Sequence, residues 1–171
     1  MNKPETNEYA PYYGNYIGQV GDDDVVSILA GQASELRAAL SGLADDRGSY
    51  AYADGKWTIK EVLSHIIDGE RIFAYRILRI SRGDATPVEG FEQDDYIATS
   101  NANHRSFADL LDEFDLQRRS NLLMLKNIND EASQLMGTAS GNPVSARAVI
   151  YIMAGHVKHH LRILNDRYLL R

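Results

Sequence analysis

The stretch Trp57-Thr58-Ile59-Lys60-Glu61-Val62-Leu63-Ser64-His65-Ile66-Ile67-Asp68-Gly69-Glu70-Arg71 carries the clearest helix start in the chain. Thr58 and Glu61 have capping-box spacing: the threonine hydroxyl accepts from a backbone N–H three residues on, and the glutamate reaches back to the cap. Trp57, just before the cap, is placed to pack on Val62 as a hydrophobic staple. Apolar residues then recur at helical spacing, and the helix can run to Ser81-Arg82, where Gly83 offers a stop.

Three more segments share that periodicity. The first runs from about Asp22 to Ala44, with Asp22-Asp23-Asp24 at the end where the macrodipole favours negative charge. Its apolar positions are Val25, Ile28, Leu29, Leu36, Leu40 and Leu43. The third helix starts near Ser106 and carries Leu110, Leu111, Phe114, Leu122, Leu125 and Ile128. Gly137 to Asn142 reads as a turn, with Asn142 capping a fourth helix whose first position is Pro143. Between the second and third helices lies a long loop, Gly83 to about Asn103, holding Pro87, Gly90 and Glu92-Gln93-Asp94-Asp95. A loop of that length needs a functional or packing reason. Four amphipathic segments without strand alternation predict an all-α four-helix bundle, one domain over residues 1–171. Tyr9, Tyr12, Tyr13 and Tyr16 place residues 1–21 as an arm packed on it.

Composition restricts the chemistry. The 171 residues include 18 Lys plus Arg, 24 Asp plus Glu, five His and no Cys, with a net charge of −6. Without cysteine there is no disulfide, thiolate nucleophile, iron–sulfur cluster or Cys-type zinc finger. A transition metal would have to be held by imidazole and carboxylate. The acidic balance argues against non-specific nucleic-acid binding. Met1 to Glu8 offers no apolar signal segment, and no run approaches the ~18 apolar residues of a membrane span. The expectation is a cytoplasmic protein with neither nucleic-acid nor membrane partners.

The histidines are the informative residues. His156-Val157-Lys158-His159-His160 puts His156 and His160 one helical turn apart. Both fall on the apolar line of Val149, Met153 and Ile163, whereas His159 sits to one side near Arg162 and Asp166. His65, among Val62, Leu63, Ile66 and Ile67, lies on or beside the buried face of the second helix. Gly69, four residues on, leaves room along that face for a ligand or substrate. Three imidazoles with an open position are the pattern of catalytic rather than structural zinc, and imidazole equally suits nickel, copper or iron. The alternative is a set of histidines satisfied by hydrogen bonds to Glu61, Asp68 or Tyr151. His104 reads as a surface or capping residue.

Three segments resemble the DinB/YfiT-like superfamily of metalloenzymes, and the resemblance covers nearly the whole chain. Gly55 to Arg71 is similar to the family's second-helix motif with its single ligand histidine. Ala154-Gly155-His156-Val157-Lys158-His159-His160 is similar to its fourth-helix HxxxH, and Gly90-Phe91-Glu92-Gln93-Asp94-Asp95-Tyr96 resembles a linker of one branch. The resemblance implies an up-down-down-up bundle with a long crossover between helices 2 and 3. It also implies a divalent metal, zinc or nickel, on His65, His156 and His160, and a homodimer.

Family resemblance leaves the reaction open. Some relatives resemble thiol S-transferases using bacillithiol or mycothiol, and one resembles a thiol-dependent maleylpyruvate isomerase. The leading expectation is therefore transfer of a small-molecule thiol to an electrophilic substrate, the sulfur arriving with the co-substrate. A metal-dependent hydrolase and a non-catalytic metal-binding dimeric bundle are the alternatives. Asp68, Glu70 or Glu61 could orient a ligand histidine. Arg76, three turns beyond His65 on nearly the same line, could bind a cofactor or substrate carboxylate. A pairing with Glu92, Asp94 or Asp95 is the reading its position favours. Tyr16, Tyr75 and Tyr96 are further candidates for lining a pocket.

Overall fold

The computed structural model describes residues 1–169. Four long helices make the frame: α2 (Val25–Ala39), α3 (Ile59–Ser81), α5 (Phe107–Leu125) and α7 (Ala146–Ile163). Shorter helices are α1 (Gly14–Gly18), α4 (Gln93–Thr99) and α6 (Asp130–Ser133). Side-chain caps set most of the long helix starts. Asp24 accepts from the Ser27 N–H, Ser106 from Asp109 and Ser145 from Ala148, while Thr58 and Glu61 form the full reciprocal box. Gly83, at φ +77°, follows α3 in a conformation that L side chains rarely adopt.

Cross-helix contacts give the directions. Thr58 meets Asn103 before the first turns of α3 and α5, and Glu70 meets Arg118 further along both, so these neighbours run parallel. Arg37 meets Asp112 while Arg118 reaches back to the Leu29 carbonyl, so α2 runs against α5. His65 faces His160 and Gly69 faces His156, so α3 runs against α7. The order is therefore up-down-down-up, with α2 and α3, successive long helices, on a diagonal. Parallel α3 and α5 force the chain to return the length of the bundle between them. That geometry accounts for the long crossover.

Residues 136–145 depart from the expected turn. They form a hairpin of β1 (Met136–Ala139) and β2 (Asn142–Ser145), with Pro143 opposite Thr138. Ser140 and Gly141, both at positive φ (+50° and +75°), make the two-residue turn favoured between twisted strands. Ser145, not Asn142, caps the last helix, and Pro143 lies in the strand rather than at the helix start. The crossover joins this hairpin: the Val88 N–H donates to the Thr138 carbonyl and the Ser140 N–H to the Val88 carbonyl, each at 2.9 Å.

Two apolar clusters fill the bundle. One lies around Leu29, Ile77, Val149 and Met153, the other around Leu36, Leu63, Phe114 and Val157. Between them runs a polar layer drawn from all four long helices. Arg118 grips the Glu70 carboxylate with two hydrogen bonds of 2.8 Å and donates to the Leu29 carbonyl and the Gln32 side-chain oxygen. Gln32 in turn donates to the Ala154 carbonyl at 2.7 Å, and Asn121 donates to Glu70. Arg118 and Glu70 are each 1% exposed, and every carboxylate oxygen has a donor. A buried ion pair is tolerable only when satisfied in this way.

The N-terminal arm packs on α7, and Ile17 and Val20 enter the core. A Cβ at Gly155 would overlap the Tyr16 carbonyl, so only glycine admits the arm at that point. Glu8 anchors the arm: it accepts from the Ser145 hydroxyl at 2.6 Å and pairs with Arg147. The Arg147 hydrogen bond leads the effects that lower the Glu8 pKa to about 2.

Candidate metal centre

Helical repeat delivers two imidazoles from α7 and one from α3 to the same point. The Nε2 atoms of His156 and His65 are 2.9 Å apart, and those of His160 and His156 are 3.1 Å apart. All three residues are buried. One hydrogen between two nitrogens can satisfy one pair, but the third nitrogen then faces a group already engaged. Three lone pairs aimed at one point suit a cation. Ligand nitrogens at about 2.05 Å from a tetrahedral zinc would be separated by about 3.3 Å, close to the spacing found.

Burial also sets the charge state. It is the main cause lowering the His65 pKa to about 4, with the nearby Asp94 charge opposing and His159 reinforcing it. Burial likewise drives His156 and His160 well below the usual imidazole range, and the neighbouring histidines add to the effect. Neutral imidazoles are the ligand form. His159 stands beside the cluster, half-buried, its ring 5.3 Å from Tyr16, and His104 is exposed.

Gly69 has a different task from the one expected. A Cβ there would lie 2.9 Å from His156 Cε1, so the space beside it is taken by the imidazole itself. The glycine lets α7 bring His156 against α3. Trp57 also reaches further than its staple position, its ring lying 4.9 Å from that of His65.

None of the three candidate orienting carboxylates hydrogen-bonds a clustered histidine. Glu70 belongs to the Arg118 layer, and Glu61 accepts from the Thr58 N–H and from Asn103. Asp68 lies 3.8 Å from Arg71, and burial raises its pKa. Tyr151 is equally remote in its bonding, directed to the Met1 carbonyl.

A cavity of about 600 Å³ opens on the cluster. His65 and His156 form part of its floor, and Tyr12, Tyr13, Tyr16, Phe73 and Phe91 supply aromatic walls. The crossover contributes Gly90 to Gln93, the hairpin Ser140 and α3 Arg76. The long loop therefore has its reason: it closes one side of this cavity. Tyr16 lies there. Tyr75 and Tyr96 do not: Tyr75 bonds Arg79, and Tyr96 packs behind Phe91. Arg76 departs from its expected pairing, for it makes no ion pair with Glu92, Asp94 or Asp95, all of which are exposed. Tyr12, Tyr13 and Ser140 were not legible as site residues, since only the arm and hairpin geometry brings them here; Phe73, on α3 one turn beyond Gly69, reads from sequence as ordinary core.

A four-helix bundle with three inward imidazoles beneath an open cavity defines the class. The chain belongs to the DinB superfamily, whose family model matches residues 28–164. It is 29% identical over 77 residues to a Geobacillus kaustophilus (strain HTA426) protein named "Putative metal-dependent hydrolase GK0616". That match spans 45% of this chain and 43% of the relative, less than half of each. Among solved structures, YfiT from Bacillus subtilis is described as "a probable metal-dependent hydrolase with an unusual four-helix bundle topology". It matches with a TM-score of 0.76 at 14% identity, covering 96% of this chain and 90% of that one. At that identity the likeness concerns the fold. Among the described residues, no helix is long and apolar enough to cross a membrane.

Proposed function

We propose that this chain is a divalent-metal-dependent enzyme acting on a small molecule, with His65, His156 and His160 as the metal ligands. The observation that carries the reading is the convergence of three buried, neutral imidazoles beside a cavity of about 600 Å³. Three protein ligands and an accessible fourth direction distinguish a catalytic arrangement from a closed structural one. A metal there would act as a Lewis acid and lower the pKa of a bound nucleophile. The chain's part is to hold the three nitrogens rigidly, by α7 periodicity and by Gly69, and to enclose the substrate in aromatic walls. Zinc and nickel both suit the donor set.

Hydrolysis is the reaction supported by the names of the relatives. A specific observation favours thiol transfer as a second reading. Among the described residues, the carboxylates that line the cavities at the cluster are Glu92 and, on the His160 side, Asp94; both are exposed, so no buried carboxylate stands by there to take a proton from water. A thiol, far more acidic than water, gives up its proton more readily. A bacillithiol- or mycothiol-type co-substrate would then supply the sulfur.

Metal analysis of protein purified without chelator, beside His65→Ala and His160→Ala, tests the ligand assignment. Near-stoichiometric metal lost in both variants is expected, and unchanged occupancy would overturn the site. Turnover of chromogenic electrophiles with and without added thiols then separates the reactions. Metal-dependent turnover in water alone marks a hydrolase; a strict requirement for thiol marks a transferase.

A further inference from the structure

Arg76 is 3% exposed, yet among the described residues it has no carboxylate to balance its buried guanidinium. Its Nη2 donates to the Glu89 carbonyl at 3.2 Å and the Ser140 hydroxyl at 2.8 Å. Its Nε is buried without any partner among the described residues. A guanidinium carries five N–H donors and stays charged at any ordinary pH. Two donors are engaged by neutral groups, and the positive charge is not cancelled.

The setting points to what would cancel it. Arg76 lines the same cavity as His65 and His156, three turns along α3 from His65, about 16 Å along the helix axis. Between and around them stand Tyr16, Phe73 and Phe91. Ser140, which orients the guanidinium, sits at φ +50°, a conformation that is strained for a residue bearing a Cβ. Asn or Gly would relieve that strain but could not offer the same hydroxyl. Among the described residues, the carboxylate in the lining is Glu92, which is exposed and makes no pair with Arg76.

We propose that Arg76 is the binding residue for a substrate carboxylate, so that the cavity takes a small organic acid with an apolar or aromatic body. The acid end rests on the free donors of Arg76, and the body lies against the aromatic walls toward the histidines. The substrate assignment rests on the metal-dependent reading above; the anion site itself does not.

The test is calorimetric titration with 3-phenylpropionate and its neutral isostere 3-phenylpropionamide, on zinc-loaded and chelator-treated protein. The wild type should prefer the acid by at least about tenfold in both forms, as a charge-assisted pair would give. Arg76→Gln should abolish the preference while taking up zinc like the wild type. Arg76→Lys, which keeps the charge and loses the planar fork, should retain the preference at several-fold weaker affinity; it serves as the variant readout if Arg76→Gln does not fold. Equal binding of acid and amide by the wild type overturns the proposal without any variant. A preference surviving in Arg76→Gln overturns it as well, and one present only with zinc places the carboxylate on the metal. A wild type that takes up no zinc but still prefers the acid would sink the metal reading and leave this one standing.

Discussion

Two buried polar clusters sit next to each other in the same bundle, and they are built on opposite principles. In the Arg118 layer, charge meets charge: Glu70, Gln32, Asn121 and two backbone carbonyls satisfy one another across all four long helices. One residue before Glu70 on α3, Gly69 touches the cluster where three imidazole nitrogens point at each other and, among the described residues, no carboxylate hydrogen-bonds any of them. The first cluster is complete without any visitor. The second, together with Arg76 on the cavity wall, is left unsatisfied by its neighbours among the described residues. A polar interior group without partners costs free energy. The contrast separates the polar groups that hold the bundle together from those that the bundle itself leaves unsatisfied.

Breaking the satisfied cluster should have the largest effect. Arg118→Ala leaves the Glu70 carboxylate buried and unpaired, and should lower unfolding free energy by about 3–5 kcal/mol in a denaturant titration. A loss below about 1 kcal/mol would show that the layer is not holding the helices. The histidine cluster should respond to pH instead. In chelator-treated protein the unfolded chain protonates its histidines as pH falls below about 6.5, while the folded ones resist. Their folded pKa values are depressed, so their stabilising contribution is complete above that pH and is lost on acidification. For His65 the loss runs down to about pH 4 and reaches roughly 3 kcal/mol. Urea midpoints that stay flat between pH 7 and pH 4.5 would contradict it.

Ligand addition sharpens the same comparison. Zinc at about 100 times its dissociation constant should raise stability by about 2.7 kcal/mol in the wild type and leave His160→Ala nearly unmoved. Equal stabilisation of both would place the ion elsewhere. The smallest effect concerns the arm. Glu8→Gln removes the charge that Arg147 grips and should cost about 1–2 kcal/mol. Its signature is faster hydrogen exchange around Tyr16, read by mass spectrometry, with the exchange of α5 unchanged.

Local signals carried most of what the sequence revealed. Thr58 and Glu61 announced α3 because both halves of a capping box lie within four residues. His156 and His160 declared a shared direction because helical geometry alone sets it. Residues whose meaning depends on a distant partner were read less well. Glu70 looked like a candidate for orienting a histidine, since nothing nearby reveals Arg118 across the bundle, 48 positions away. Gly69 suggested empty space, whereas its neighbour is His156 from another helix. The hairpin escaped notice because its strands are four residues each and Pro143 reads as a helix start; pairing against Thr138 shows only in three dimensions. Arg76 was expected to find an acid in the crossover, and the crossover offered it a carbonyl instead.

The up-down-down-up connection has a consequence for how such a protein can diversify. Helices α3 and α7 supply the floor of the cavity, and any change there disturbs both the core and the three imidazoles. Beside Phe73 and Arg76, the crossover, the hairpin tip and the arm supply the walls, and none of these three carries a long helix. The lining can therefore change through segments outside the four long helices, one loop or turn at a time, while the floor stays as it is. A scaffold divided in this way can be inherited almost unchanged by proteins that no longer handle the same molecule.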